Sequence, residues 1–145
     1  MSIFHSMNTT ASALTAQRLR MDVISSNMAN VDSAKKVNGE AYRRKMVVLE
    51  PKEGQFSSFL KTAMNSQSAG SGVKVSRIIE DQSPLKAVYD PEHPDANPEG
   101  FVEYPNVDPL REMVDLISAT RSYEANVTVL NASKGMLMKA LEIGK

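Results

Sequence analysis

The chain has 145 residues with 17 basic and 17 acidic side chains, and it contains no cysteine. A formal charge of zero exerts no global pull toward nucleic acid or an anionic membrane, and without cysteine there is neither a disulfide nor a cysteine-held metal. No apolar run approaches a bilayer span, and the first thirty residues lack the charged start and unbroken apolar core of a cleavable leader, so a soluble chain is expected. Proline placement divides what remains. All seven prolines lie from Pro51 to Pro109, which leaves both ends free of the residue that breaks helices. Six of the eight aromatics lie between Tyr42 and Tyr104, where a separate small core would draw on them.

Near the start, Met7, Leu14, Met21 and Met28 repeat every seven residues, with Thr10, Gln17, Ile24 and Val31 between them. This alternation of three and four is the period of a seam joining helices, weakened here by polar Thr10 and Gln17 and by pliable methionine. Leu19 and Val23 fall on the other face and are expected to be exposed in a simple two-helix pair. Asn27, Asn30, Asp32 and Ser33 compete for backbone hydrogen bonds and end the pattern.

Ser33 to Glu40 reads as a polar loop with an Asn38-Gly39 turn. Tyr42 to Leu49 reads as a strand, with Tyr42, Met46 and Val48 on one face. Phe56, Phe59, Leu60, Ala63 and Met64 have helical spacing, predicting a short amphipathic helix near 56–64. A Ser/Gly-rich loop follows, then strands around Val73 to Ile79, Leu85 to Tyr89 and Phe101 to Tyr104. Pro91, Pro94 and Pro98 fix the connection between the last two.

In the last third, Met113, Leu116, Tyr123, Val127, Leu130, Leu137 and Leu141 form a second seam at the same period once Thr120 and Lys134 are included. Asp108 stands where an N-cap belongs, Pro109 suits the first helical position, and Gly144 can end the helix. Such a helix runs about 50 Å at roughly 1.5 Å per residue and needs a partner helix to bury its seam. Lys134 interrupts the seam. Gly135 beside it costs about 1 kcal/mol relative to alanine, which a close neighbouring backbone would offset. The expected fold is α+β: long N- and C-terminal helices packed as a coiled-coil-like bundle, with a small β-rich middle domain. The terminal helices of residues 1–34 and 107–145 form the core domain, and residues 35–106 the middle one.

Candidate chemistry is sparse. Asp90, Glu92, His93 and Asp95 are the one grouping that resembles a metal site, since carboxylates and an imidazole suit a divalent cation. Their proline spacing reads as a structural turn. The alternative is a small metal-dependent enzyme with its site around Asp90 to Asp95. No Gly-rich phosphate loop, nucleophile elbow or paired-histidine helix is present, and Ser122 and Ser133 have no histidine near in sequence. No catalytic, cofactor-binding or metal-ligating residue is assigned. Lys35, Lys36, Arg43, Arg44 and Lys45 form a basic patch that reads as a solvated loop and strand edge, since stacking aromatics for nucleic acid are missing.

Several stretches carry a family likeness. Ser25-Ser26-Asn27-Met28-Ala29-Asn30-Val31-Asp32 resembles the asparagine-rich signature after the first helix of bacterial flagellar rod and hook proteins. Val73 to Ser76, Val88 to Pro91 with His93 to Ala96, Tyr104-Pro105-Asn106-Val107 and Met113 to Asn126 resemble the proximal rod branch of that family. The signature residues on this reading are Asn27, Ala29, Asn30, Tyr104, Pro105, Asn106, Asp115, Tyr123 and Asn126. Where much of the family continues into a Thr-Pro-Gly-Tyr turn, this chain has Asp32-Ser33-Ala34-Lys35.

The resemblance implies a structural subunit of the basal-body rod, without enzymatic activity or cofactor. It implies export through the flagellar type III apparatus without a cleaved leader, and location in the periplasm-spanning rod. The terminal helices then pack on each other and on neighbours around an axial channel, with the middle domain outward. Implied partners are copies of the chain, other rod proteins, the junction protein at the rod base and the export machinery; nucleic acid and membrane insertion are not implied. Before assembly the helices lack partners, so both ends are expected to be largely disordered in dilute monomer.

Overall fold

The computed structural model describes residues 3–34, 41–52 and 72–144. Helix α1 spans Ile3–Ala29 and helix α2 spans Pro109–Ile143, with strands β1 (Lys45–Pro51), β2 (Val73–Glu80), β3 (Lys86–Tyr89) and β4 (Phe101–Tyr104) between them. The expected short helix near 56–64 and the loop at 35–40 lie outside the described residues.

Both helices are rich in hydroxyl side chains, which compete with helix formation unless their groups are satisfied locally. Here they are. Thr9, Thr10 and Thr15 each donate to the carbonyl four residues back, as do Thr120, Ser122 and Thr128. Helix α1 closes through backbone bonds three residues apart, Asn30 N to Asn27 O and Val31 N to Met28 O. Asn30 Nδ2 also donates to Ser26 O at 2.8 Å, satisfying one of the carbonyls a helix end leaves open. Helix α2 starts as its sequence predicts: Asp108 is extended, its carboxylate accepts from Leu110 N at 3.1 Å, and Pro109 follows. Gly144 is the C-cap, but at φ −84° it does not use the left-handed conformation that favours glycine.

The helices run antiparallel, since contacts step from Asn27 with Glu112 to Met21 with Thr120. Strands β1 and β2 pair antiparallel with a bulge between Val48 and Leu49, and this hairpin packs on α1. Its cover accounts for Val23, which is buried rather than exposed as the two-helix reading expects. Gly72 lets the hairpin approach closely: its φ is +95°, and a Cβ there would overlap the Ser12 hydroxyl. That hydroxyl accepts from Val73 N at 3.1 Å.

Strands β3 and β4 form a separate antiparallel hairpin that shares no strand pairing with β1 and β2. The four strands therefore make two two-stranded sheets. The expected first strand also starts later, at Lys45, leaving Tyr42 outside it. Tyr42 is buried against the helices, while Tyr89 and Phe101 are exposed on the β3–β4 hairpin.

Candidate functional site

The most constrained place in the chain is a polar junction where the end of α1, the start of α2 and the lead into β1 meet. Asn27 is its hub. Its Nδ2 donates to Lys45 O at 2.9 Å and to Glu112 Oε2 at 3.0 Å. Its Oδ1 accepts from Lys45 N at 2.9 Å and from the Tyr42 hydroxyl at 3.0 Å. A buried amide with both donors and its acceptor engaged in this way is a directional fixture.

Charge completes the junction. Arg44 Nε donates to Glu112 Oε1 at 2.6 Å, and its other end reaches Asp115 Oδ2 at 3.4 Å. Asp115 also pairs with Arg20 at 3.2 Å, tying α1 to α2 a second time. Glu112 is fully buried and Arg44 nearly so. Burial of the carboxylate is costly, and it is offset only because the guanidinium and the Asn27 amide both meet it. Asn106 holds the strand side: its Oδ1 accepts from Arg44 N at 2.8 Å, and its Nδ2 donates to Asp81 O and Ser83 O, each at 3.2 Å.

Away from the junction the helix contact is softer. Ile24 is buried, and Met7, Leu14, Met21 and Met28 are half-buried on α1. On α2, Leu116, Tyr123, Val127, Leu130 and Leu137 are half-buried, but Met113 and Leu141 are 48% and 68% exposed. The row of α2 that lies closest against its surroundings is Glu112, Ala119 and Ser133, all buried, with half-buried Asn126 between them. It runs one residue ahead of the expected row of Met113, Thr120 and Lys134. Small side chains at Ala119 and Ser133 let the helices approach, which an apolar pattern does not register. Lys134 is exposed, and a Cβ on Gly135 would meet nothing within 4 Å, so among the described residues no backbone offsets that glycine.

Among the family-signature residues, Asn27, Asn106 and Asp115 converge on the junction. Pro105 is buried beside it in sequence, and Tyr104 and Tyr123 are half-buried. Asn30 and half-buried Asn126 bond within their own helical turns, and Ala29 is exposed. Arg44 and Glu112 were missed by sequence reasoning. Arg44 belongs in sequence to the basic patch that reads as solvated, yet it is buried and paired. The available signal was the acidic pair Glu112 and Asp115, three residues apart on the face that carries Leu116 and Ala119.

Two polar side chains of the Asp90 to Asp95 segment accept from backbone within it. Asp90 Oδ1 accepts from Glu92 N at 3.3 Å and His93 Nδ1 accepts from Asp95 N at 3.1 Å. Among the described residues no group of three or more such side chains is disposed to hold a metal ion. Also among the described residues, no helix is long and apolar enough to cross a membrane.

Comparison with known proteins places these elements. The pattern described as Flagella basal body rod protein matches residues 7–34, and that described as Flagellar basal body rod FlgEFG protein C-terminal matches residues 99–143. A "Flagellar basal-body rod protein FlgC" of Bacillus subtilis is 67% identical, with 100% of each chain covered. Those of Borreliella burgdorferi and Salmonella typhimurium are 45% and 43% identical, covering 99% and 100% of this chain and 98% and 100% of theirs. The chain belongs to the FlgC family of flagellar basal-body rod proteins. In this rod-family chain the two matched segments correspond to α1 with its closing turn and to β4 with α2. They contain Asn27 and Glu112 respectively, whereas Arg44, which joins them, lies in the stretch between.

Proposed function

We propose that the chain is a structural subunit of the bacterial flagellar basal-body rod and works by assembly rather than catalysis. The observation that carries this reading is full-length similarity at 67% identity to a flagellar basal-body rod protein. The physical reading agrees with it. Helix α2 keeps Leu110, Val114, Ile117, Met136, Met138 and Ile143 largely exposed after pairing with α1. Clustered apolar surface of this kind favours partner binding at about 25 cal/mol per Å² buried.

On this reading residues 1–34 and 107–145 form the axial core domain and residues 35–106 the outward middle domain. The two helices pack in coiled-coil fashion within the assembly, where Met113 and Leu141 enter seams with neighbouring subunits. Partners are other copies, other rod proteins, the junction protein at the rod base and the export machinery. The chain leaves the cytoplasm by the flagellar type III route without a cleaved leader and resides in the periplasm-spanning rod. Torque then passes along it from motor to hook.

The test is complementation. A strain lacking its own copy of this rod protein, supplied with the chain, should regain complete rods by electron microscopy and regain swimming. Normal export with no rod completion would overturn the structural role.

A further inference from the structure

Two surfaces of this chain complement each other and cannot be accounted for by its own fold. The first is a groove of about 290 Å³ bounded by α1, β1 and the start of α2. That is near the lower end of the range for small-molecule pockets, about 300–1,000 Å³, so it suits one or two inserted side chains. Val47 and Leu49 give it an apolar wall, and Arg20, Arg44, Lys45 and Arg111 line it with cations. Glu112 and Asp115 balance two of these, through Arg44 and Arg20. Arg111 is exposed and forms no ion pair among the described residues, though the Asp81 carboxylate lies near enough to feel its charge; four cations against Glu112, Asp115 and Asp81 still leave a positive excess beside the α2 N-terminus, whose dipole has the same sign.

The second surface is the β3–β4 hairpin. From Ala87 to Leu110 the chain carries six acidic side chains and no lysine or arginine, although the whole chain is neutral. The hairpin tip is rigid: Asp90 N donates to Gly100 O at 2.9 Å, Asn97 N to Phe101 O at 2.9 Å, and Gly100 N to Asn97 O at 2.8 Å. Gly100 has φ +81° and lies under the Tyr89 ring, where a Cβ would come within 2.9 Å. Tyr89 and Phe101 meet edge to face at 5.3 Å and remain exposed, flanked in sequence by Asp90 and Glu99. The result is a preformed aromatic knob on an acidic stretch of chain.

We propose that the acidic, aromatic tip of the β3–β4 hairpin of one copy seats in the basic groove of the next copy. Carboxylates such as Glu99 then meet Arg111, and an aromatic edge covers Val47 and Leu49. The two surfaces are different patches of one chain, so the contact is heterologous and repeats from copy to copy instead of closing on itself in a pair. Preorganisation of the tip limits the ordering cost of docking. This contact rests on the rod-subunit reading and specifies one interface within it.

The chain's lack of cysteine makes disulfide trapping clean. Purified full-length chains carrying Leu49→Cys and Asn97→Cys, tagged to differ in size, are mixed at high concentration and oxidised. The expected result is a mixed disulfide that forms about tenfold faster than with a control pair in which Glu124→Cys replaces Asn97→Cys, and that slows in high salt. Arg111→Glu in the Leu49→Cys chain should remove most of the excess, and Glu99→Arg in the partner should restore it. Equal rates with the control would overturn the contact. So would a single chain bearing both cysteines that closes on itself as a monomer, since the hairpin would then occupy its own groove. Complementation by the unmodified chain separates the two readings: restored swimming with no preferential disulfide removes this contact alone, whereas failed complementation removes the rod-subunit reading.

Discussion

Arg44 and Glu112 meet at 2.6 Å in a place where the carboxylate has no exposure to solvent, and they come from opposite sides of the middle of the chain. This pair, with Asn27 bridging to it, joins the end of α1, the start of α2 and the lead into β1 at one point.

Removing one partner should therefore cost far more than a surface ion pair. Glu112→Ala leaves a nearly buried guanidinium with only its longer contact to Asp115 at 3.4 Å and is expected to destabilise the chain by up to about 3–5 kcal/mol. Replacing both ends, as Arg44→Met with Glu112→Leu, should recover most of that loss while removing the bonds to Asn27 and Asp115. Denaturant midpoints of the two variants check this; equal losses in single and double variants would contradict a paired origin.

Gly72 is expected to reject any side chain for two separable reasons. Gly72→Ala incurs a left-handed backbone penalty of about 1–2 kcal/mol and a clash with the Ser12 hydroxyl. Ser12→Gly should relieve the clash and leave the backbone penalty, so the double variant should be rescued only in part. Thermal melts of the four chains complete the cycle. Full rescue would mean that the positive φ carries no cost.

Asp81 predicts a pH response. Hydrogen bonds from the Ser83 hydroxyl at 2.6 Å and the Ser83 backbone N–H at 2.9 Å hold its carboxyl below the ordinary aspartate range. Its folded value thus lies under its unfolded value of about 3.9. The contribution is present above that pH and is lost as pH falls through the lowered folded value. The group is largely solvent-exposed, so the effect is small. Ser83→Ala should lower stability slightly at neutral pH and flatten the acid limb, so that the two chains converge as pH falls below about 4.

Along the helix pair, Leu130 and Glu142 form a matched comparison. Leu130→Asp puts a carboxylate into an apolar contact, at a cost of several kcal/mol where no partner meets it. Its lower helix propensity adds only about 0.7 kcal/mol or less. Glu142→Gln removes one exposed pair with Lys139, at 2.7 Å, and should change stability by less than about 0.5 kcal/mol. Rod completion at matched protein levels should fail for the first and proceed for the second. Normal assembly of both would mean that α2 does not build the contact.

Hydrogen exchange on the free subunit should be graded rather than uniform. Unpartnered seams alone predict that both ends are disordered before assembly, but the junction pins the last turns of α1 to the first turns of α2. Amides around Asn27 and Glu112 should exchange slowest, and those beyond Leu137 fastest. Uniformly fast exchange across both helices would mean that the junction forms only in the assembly.

The two helices were legible because proline is confined between them and because a seven-residue repeat marks each one. Asp108 and Pro109 located the start of α2 to the residue, since capping is local chemistry. Val23 was misjudged because its cover comes from a hairpin whose packing no local pattern encodes. Arg44 and Glu112 were illegible for a related reason: a charged residue reads as solvated until a partner 68 positions away is known. The inner row of α2 escaped because alanine and serine carry almost no hydropathy, although their small size is what the contact uses.

A repeat of seven has a built-in ambiguity. Sliding α1 past α2 by two turns brings Met21 to where Met28 was and, seen from α1, Leu116 to where Tyr123 was, so greasy contacts survive the slip nearly unchanged. The Asn27 amide tolerates no such displacement, because its partners Lys45, Tyr42 and Glu112 each occupy one place. It therefore behaves as a detent, and a load that drives the helices along each other meets its stop at that one asparagine.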